Sequence, residues 1–282
     1  MLGKQTQEVS GGSTAIQSTG HVVVHQHGFT AAQVGEVSTL VDLFLKAQLP
    51  AFEARAQKIA EENAAKLLDA FVAHAANAAV PLSGDEFSKP AGQAAFHSAL
   101  AGVALHADAA DVDLVAEALV RRLNSADEPL LKLVLDSVIT VLPRLSAGHI
   151  SFLAFTHFVK KLNLSLKSLE VLENLSGQIM TLFEAGENLS APNIQYLAGL
   201  GLITVNPVSD ADLLFDIWER TYGFPINAVE IAKLQTQHLK RVHEMYLRMK
   251  LPTVHPTITG TAIGLLHLKR KFIRIELADH IA

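Results

Sequence analysis

From residue 30 onward, apolar positions recur at three- and four-residue intervals. Val34, Val37, Leu40, Val41, Phe44 and Leu45 form one such run, and Ile59, Leu67, Leu68, Phe71 and Val72 a second. This spacing puts each set on one face of a helix. Thr30 and Gln33 fit a capping box at the start. Pro50 lacks an N–H and crowds the preceding turn, so it breaks or kinks the helix near Leu49. The pattern predicts a long kinked helix over 30–80. Further stripes follow: Val112, Val115, Leu119, Val120 and Leu123, then Leu131, Val134, Leu135, Val138, Ile139 and Leu142. Residues 150–162 and the set Leu169, Leu172, Leu175, Ile179 and Leu182 continue it. Pro129 and Pro143 punctuate these segments. Residues 81–189 therefore read as a helical bundle.

The last part, 190–282, changes character. Ser190-Ala-Pro192 starts a short helix, and Leu197 to Val205 leaves it toward an extended segment. Helices are expected over 209–219 and 226–249. Pro252 and Pro256 hold 251–258 extended, and Thr259 to Leu268 forms a last helix. A helix, a Leu-Gly-Leu-Ile exit, an extended segment and a final helix suggest a winged-helix-like subdomain. The fold class expected for the whole chain is mainly α, a multi-helix bundle.

Residues 1–29 follow a different pattern. Gly11-Gly12 and Gly20 read as turns. Thr14, Ala15, Ile16 and Gln17 form one short β-prone stretch, and residues 21–27, with Val22, Val23 and Val24, form another. Two short strands are not stable alone in water. The segment is expected to pair with copies of itself, as an oligomerisation device.

Composition sharpens this picture. Apolar residues make up 49% of the 282 and charged residues 18%, with a mean hydropathy of +0.27. Large exposed apolar patches are uncommon on monomers, so the composition points toward a homo-oligomer. There is no cysteine, which excludes disulfides, thiolate metal sites and cysteine nucleophiles. No window is long and apolar enough for a membrane span, and the polar first residues lack a secretory signal pattern. A cytoplasmic protein is the expectation.

The net charge of −5 conceals an asymmetry. Residues 233–274 carry +8, whereas residues 1–232 carry −11. Lys240, Arg241, Arg248, Lys250, Lys269, Arg270, Lys271 and Arg274 could therefore contact nucleic-acid phosphates. They could equally meet the acidic body of another subunit. Only Tyr246 and Phe272 lie among them, too few aromatics for single-strand stacking. The subunit contact is the preferred reading and the nucleic-acid-binding regulator or defence effector is the alternative.

Catalytic signals are sparse. The sequence lacks a nucleophile elbow, a Walker loop, a dinucleotide fingerprint and a His-Glu-x-x-His zinc motif. His21, His25 and His27 share one face of the second β-stretch and form the nearest approach to a metal set. They also fit outward polar positions alternating with valines, so no metal and no cofactor is assigned. The reading is a non-enzymatic, self-assembling helical scaffold.

The opening Met1 to Gln5, the tract Gly11-Gly-Ser-Thr-Ala-Ile-Gln17 and the valine run after Gly20 resemble an uncharacterised family of bacterial proteins. In that family a similar tract precedes a helical body. The ending, Leu200-Gly-Leu-Ile203 followed by Thr259-Gly260, is similar to the C-terminal part of Abi-alpha-type abortive-infection proteins. That second resemblance implies a place in phage defence and brings no catalytic residues.

Overall fold

The computed structural model describes residues 31–48, 54–78, 84–106, 110–125, 128–164, 166–206 and 213–270. The β-prone stretches at 14–17 and 21–27 lie outside it, as do Lys271 and Arg274. Among the described residues there are thirteen α-helices and one two-stranded sheet. The mainly α, multi-helix expectation holds.

The predicted long helix is described as two, α1 (Ala31–Gln48) and α2 (Ala54–Ala76), with Pro50 between them, outside the described residues. A short α3 (Gly84–Ser88) leads into α4 (Pro90–His106), followed by α5 (Val112–Asn124), α6 (Pro129–Val141), α7 (Ala147–Lys160) and α8 (Leu169–Phe183). Local caps explain several boundaries. Asp111 accepts the N–H of Leu114 at 3.0 Å to start α5. Ser146 and His149 form a reciprocal capping box on α7. Pro129 occupies the first turn of α6, where its missing N–H costs nothing.

After α9 (Ala191–Gly199), strand β1 (Ile203–Val205) pairs antiparallel with β2 (Val254–Pro256), Thr204 opposite His255. Between the strands lie α10 (Leu214–Tyr222), α11 (Ala228–Ala232) and α12 (His238–Arg248). The helix expected over 226–249 is thus two helices with a break at 233–237. A distant residue sets that break. The carboxylate of Glu173, buried on α8, accepts the N–H groups of His238 and Leu239 at 2.7 and 2.9 Å. It thereby caps the start of α12. Residues 251–253, expected to be extended, form a 3₁₀ turn before β2.

Helix α13 (Ile258–Lys269) closes the chain's described part. Residues 260–266 and Leu268 are all buried. A helix apolar on every side belongs inside a protein, and α13 packs against α5, α6 and above all α7. One continuous apolar core runs from Val37 on α1 to Leu268 on α13. Helices α13 and α12 are among the elements that hold residues 190–282 to the bundle: α13 fills its centre, and α12 docks on α8.

The C-terminal end of α7 shows how the layers are joined. Trp218 donates from Nε1 to the Val159 carbonyl at 3.1 Å, and Tyr222 donates from its hydroxyl to the Leu162 carbonyl at 3.1 Å. Val159 lies in the last turn of α7, where carbonyls lack intrahelical donors, and Leu162 follows just beyond it. Lys160 reaches β2 from the same end, donating to the Val254 carbonyl at 2.6 Å. Burial, with Lys161 beside it, pushes the Lys160 ammonium down to about 8.

Buried charge ties α3 to α5 and α6. Glu86 is 3% exposed and accepts from Lys89 and from Lys132, the latter at 3.0 Å. Arg122, equally buried, donates to Asp136 at 2.6 Å and lies 3.8 Å from Glu86. The Lys89 and Lys132 ammonium groups hold the Glu86 carboxyl below the ordinary range against the opposing effect of burial. Burial pushes Asp111 upward, and its bond to Arg270 more than offsets this, so that its net direction is also downward.

The sign of the linkage follows. A carboxyl with a folded value below its unfolded one contributes stability above the unfolded value and loses it as pH falls through the folded one. The contribution of these two carboxyls to the urea midpoint should therefore be flat above about pH 6 and decline below about pH 4.5. Glu86→Gln should flatten the acid limb. Superimposable acid limbs for wild type and variant would show that Glu86 does not carry it.

Candidate interaction surfaces

The basic residues of the C-terminal quarter are distributed over different acidic partners within the chain. Arg248 on α12 donates to Glu187 at 2.6 Å, and Arg241, two turns earlier, lies 3.8 Å from the same carboxylate. Arg270, just past α13, bonds Asp111 at 2.7 Å and Asp113 at 3.4 Å. Asp113 also meets His74 of α2 at 2.9 Å. The charge asymmetry read from the sequence is thus partly satisfied inside one subunit, by contacts separated by more than fifty residues. Lys240 and Lys250 are exposed, and Lys269 is half-buried.

A different surface has the opposite character. Helix α4 carries no Asp, Glu, Lys or Arg between Pro90 and His106. Helix α6 carries only Lys132 and Asp136, both engaged with the Glu86–Arg122 network. The two helices lie side by side and run in the same direction. Ser98 and Thr140 meet hydroxyl to hydroxyl at 3.3 Å. One turn further, Gly102 faces the Pro143 ring so closely that a Cβ there would sit 2.5 Å from it.

Along each helix a row of residues with 3-4-3-4 spacing is left outside the core. On α4 it is Ala91, Ala94, Ser98, Ala101 and Leu105; on α6 and the turn after it, Leu130, Leu133, Ser137, Thr140 and Arg144. Leu105, Leu130 and Leu133 are 57%, 52% and 66% exposed. Spacing of this kind is what one helix presents to another in a bundle or coiled coil. The Ser98–Thr140 contact joins the two rows into one face. The sequence reading assigned the inward stripe of α6 to the core and passed over this outward row. The signal for it was the pair Leu130 and Leu133 beside that stripe, together with a helix free of charge.

Elsewhere, an open groove of about 650 Å³ lies between α1 and α3–α4, lined by Glu36, Thr39, Leu40, Phe87, Ser88 and Gln93 among others. Among the described residues, no three His, Asp or Glu side chains are placed to hold a metal ion. His21, His25 and His27 lie outside those residues, as do Thr14 to Gln17 and Val22 to Val24. No described helix is long and apolar enough to cross a membrane.

A family model for uncharacterised proteins matches residues 30–227, from the start of α1 to the loop before α11. No curated protein and no solved structure matches the chain. The matched span takes in both α4 and α6 and leaves out residues 1–29 and 228–282. With well over half its length covered, the chain belongs to this uncharacterised family.

Proposed function

We propose that the chain is a non-enzymatic helical scaffold that works by self-association. One observation carries this reading: between Arg144 at one end and Glu128 at the other, the α4/α6 face carries no charge and presents exposed leucines in helix-packing register. Charged residues are depleted where proteins bury surface against each other. Two features of the sequence add support. The low charge content suits a chain that hides surface between subunits, and the β-prone stretches at 14–17 and 22–24 suit pairing between copies. A role in phage defence is what the C-terminal resemblance implies. The nucleic-acid reading is weakened by the pairing of Arg241, Arg248 and Arg270 with carboxylates of the same chain.

The test is the mass in solution over a hundredfold range of concentration. Light scattering should give a multiple of the 30.4 kDa subunit. Deleting residues 1–29 should lower the order of assembly while circular dichroism stays helical. A subunit mass at every concentration would overturn the proposal. Salt-sensitive retention of the wild-type protein on DNA or RNA would favour the alternative.

A further inference from the structure

We infer that the α4/α6 face receives a second copy of this chain, with α6 packed antiparallel on α6 about a two-fold axis at Ser137. The inference rests on the self-association proposed above and names the surface and its geometry. A two-fold interface sets one patch against itself, so the row on α6 must be compatible with its own reversal. With Ser137 on the axis, Leu133 meets the partner's Thr140, and Leu130 meets the aliphatic stem of the partner's Arg144. Large side chains then face smaller or flexible ones in both halves. The serine at the axis lets the two helices approach to an ordinary packing distance, about 8–10 Å. The alanines and Ser98 of α4 flank α6 with small side chains, leaving room for the partner helix beside it.

Charge fixes the direction. Glu128 stands just before α6 and Arg144 just after it; both are exposed, and neither makes an ion pair among the described residues. An antiparallel pair places each Glu128 within reach of the partner's Arg144, forming two ion pairs per dimer. A parallel pair would set Glu128 against Glu128 and Arg144 against Arg144, and like charges across an interface disfavour the arrangement. The complementarity of the two ends is the reason for assigning this face to a second copy rather than to a foreign helix.

The experiment uses full-length protein and sedimentation equilibrium, with circular dichroism to verify folding. Ser137→Arg should raise the dissociation constant at this interface at least tenfold. Glu128→Arg and Arg144→Glu should each raise it roughly two- to thirtyfold, as the loss of two exposed ion pairs would. The double variant Glu128→Arg/Arg144→Glu should return it close to wild type. An assembling wild type with unchanged constants in all four variants would remove this surface while leaving self-association standing. A wild type that stays monomeric would overturn both. Weakening by the single changes without rescue by the double would overturn the antiparallel register.

Discussion

Trp218→Ala is expected to destabilise the fold by about 3–5 kcal/mol, the usual range for deleting a fully buried aromatic side chain. Trp218 is 1% exposed and packs edge-on against Phe158, ring centres 6.0 Å apart. Phe158 in turn packs at a tilt against Phe183, so one indole supports an aromatic cluster spanning α7, α8 and α10. Its Nε1–H also satisfies the Val159 carbonyl at the exit of α7. The alanine variant loses the burial and strands the acceptor at once. Trp218→Phe separates the two contributions: it keeps most of the apolar contact and gives up the hydrogen bond, for about 1–3 kcal/mol. Urea unfolding followed by circular dichroism measures both, since the chain's only tryptophan is the one replaced. At about 2–4 °C per kcal/mol for a chain of this size, the alanine variant should melt roughly 10 °C lower. A loss below about 1 kcal/mol in Trp218→Ala would show that α10 does not hold the end of α7.

The features legible in the sequence are those that depend on near neighbours. Apolar spacing located α5 to α8, Pro50 falls between α1 and α2, and Ser190 with Pro192 marked the start of α9. The Leu-Gly-Leu-Ile exit and the proline-flanked stretch before α13 gave two extended segments, and these pair with each other. The misplaced boundary has a cause outside the local pattern. Helices α11 and α12 are separate because Glu173 caps α12 from 65 positions earlier in the chain. The pairing of Arg248 with Glu187 and of Arg270 with Asp111 is equally non-local. A charge count therefore showed an asymmetry without showing that part of it closes within the subunit. The α4/α6 face was less visible for another reason: its evidence is what α4 lacks, and periodicity draws attention to the apolar residues that are present. The ending expected to be winged-helix-like has, among the described residues, two strands with three helices between them instead of a hairpin, the second strand feeding directly into α13.

Gly260→Val is expected to cost about 3 kcal/mol or more, at the upper end of the overpacking range. A Cβ at Gly260 would lie 2.0 Å from the Leu202 carbonyl oxygen and 3.0 Å from its carbon. The obstacle is backbone, which cannot rotate away as a side chain can. That carbonyl is also occupied: it accepts the N–H of Thr257 at 3.0 Å and the Thr257 hydroxyl at 3.1 Å. Thr257 caps α13 through the N–H of Gly260, so the same few atoms fix the helix start and its contact with the chain entering β1. Moving α13 outward to admit a side chain would loosen the β1–β2 pair. It would also lift Gly264 from the Leu153 carbonyl, which a Cβ there would approach to 2.7 Å. Gly199 provides the control. Nothing lies within 4 Å of its added Cβ and its φ is not positive, so Gly199→Ala should be neutral or stabilising by up to about 1 kcal/mol. Thermal melts of the two variants decide the matter. If Gly260→Val melts with wild type, the close packing of α13 on Leu202 is not what holds this helix in the core. If it melts early and amide exchange first quickens at Thr204 and Val205, the glycine is the contact through which the last helix fastens the small sheet to the bundle.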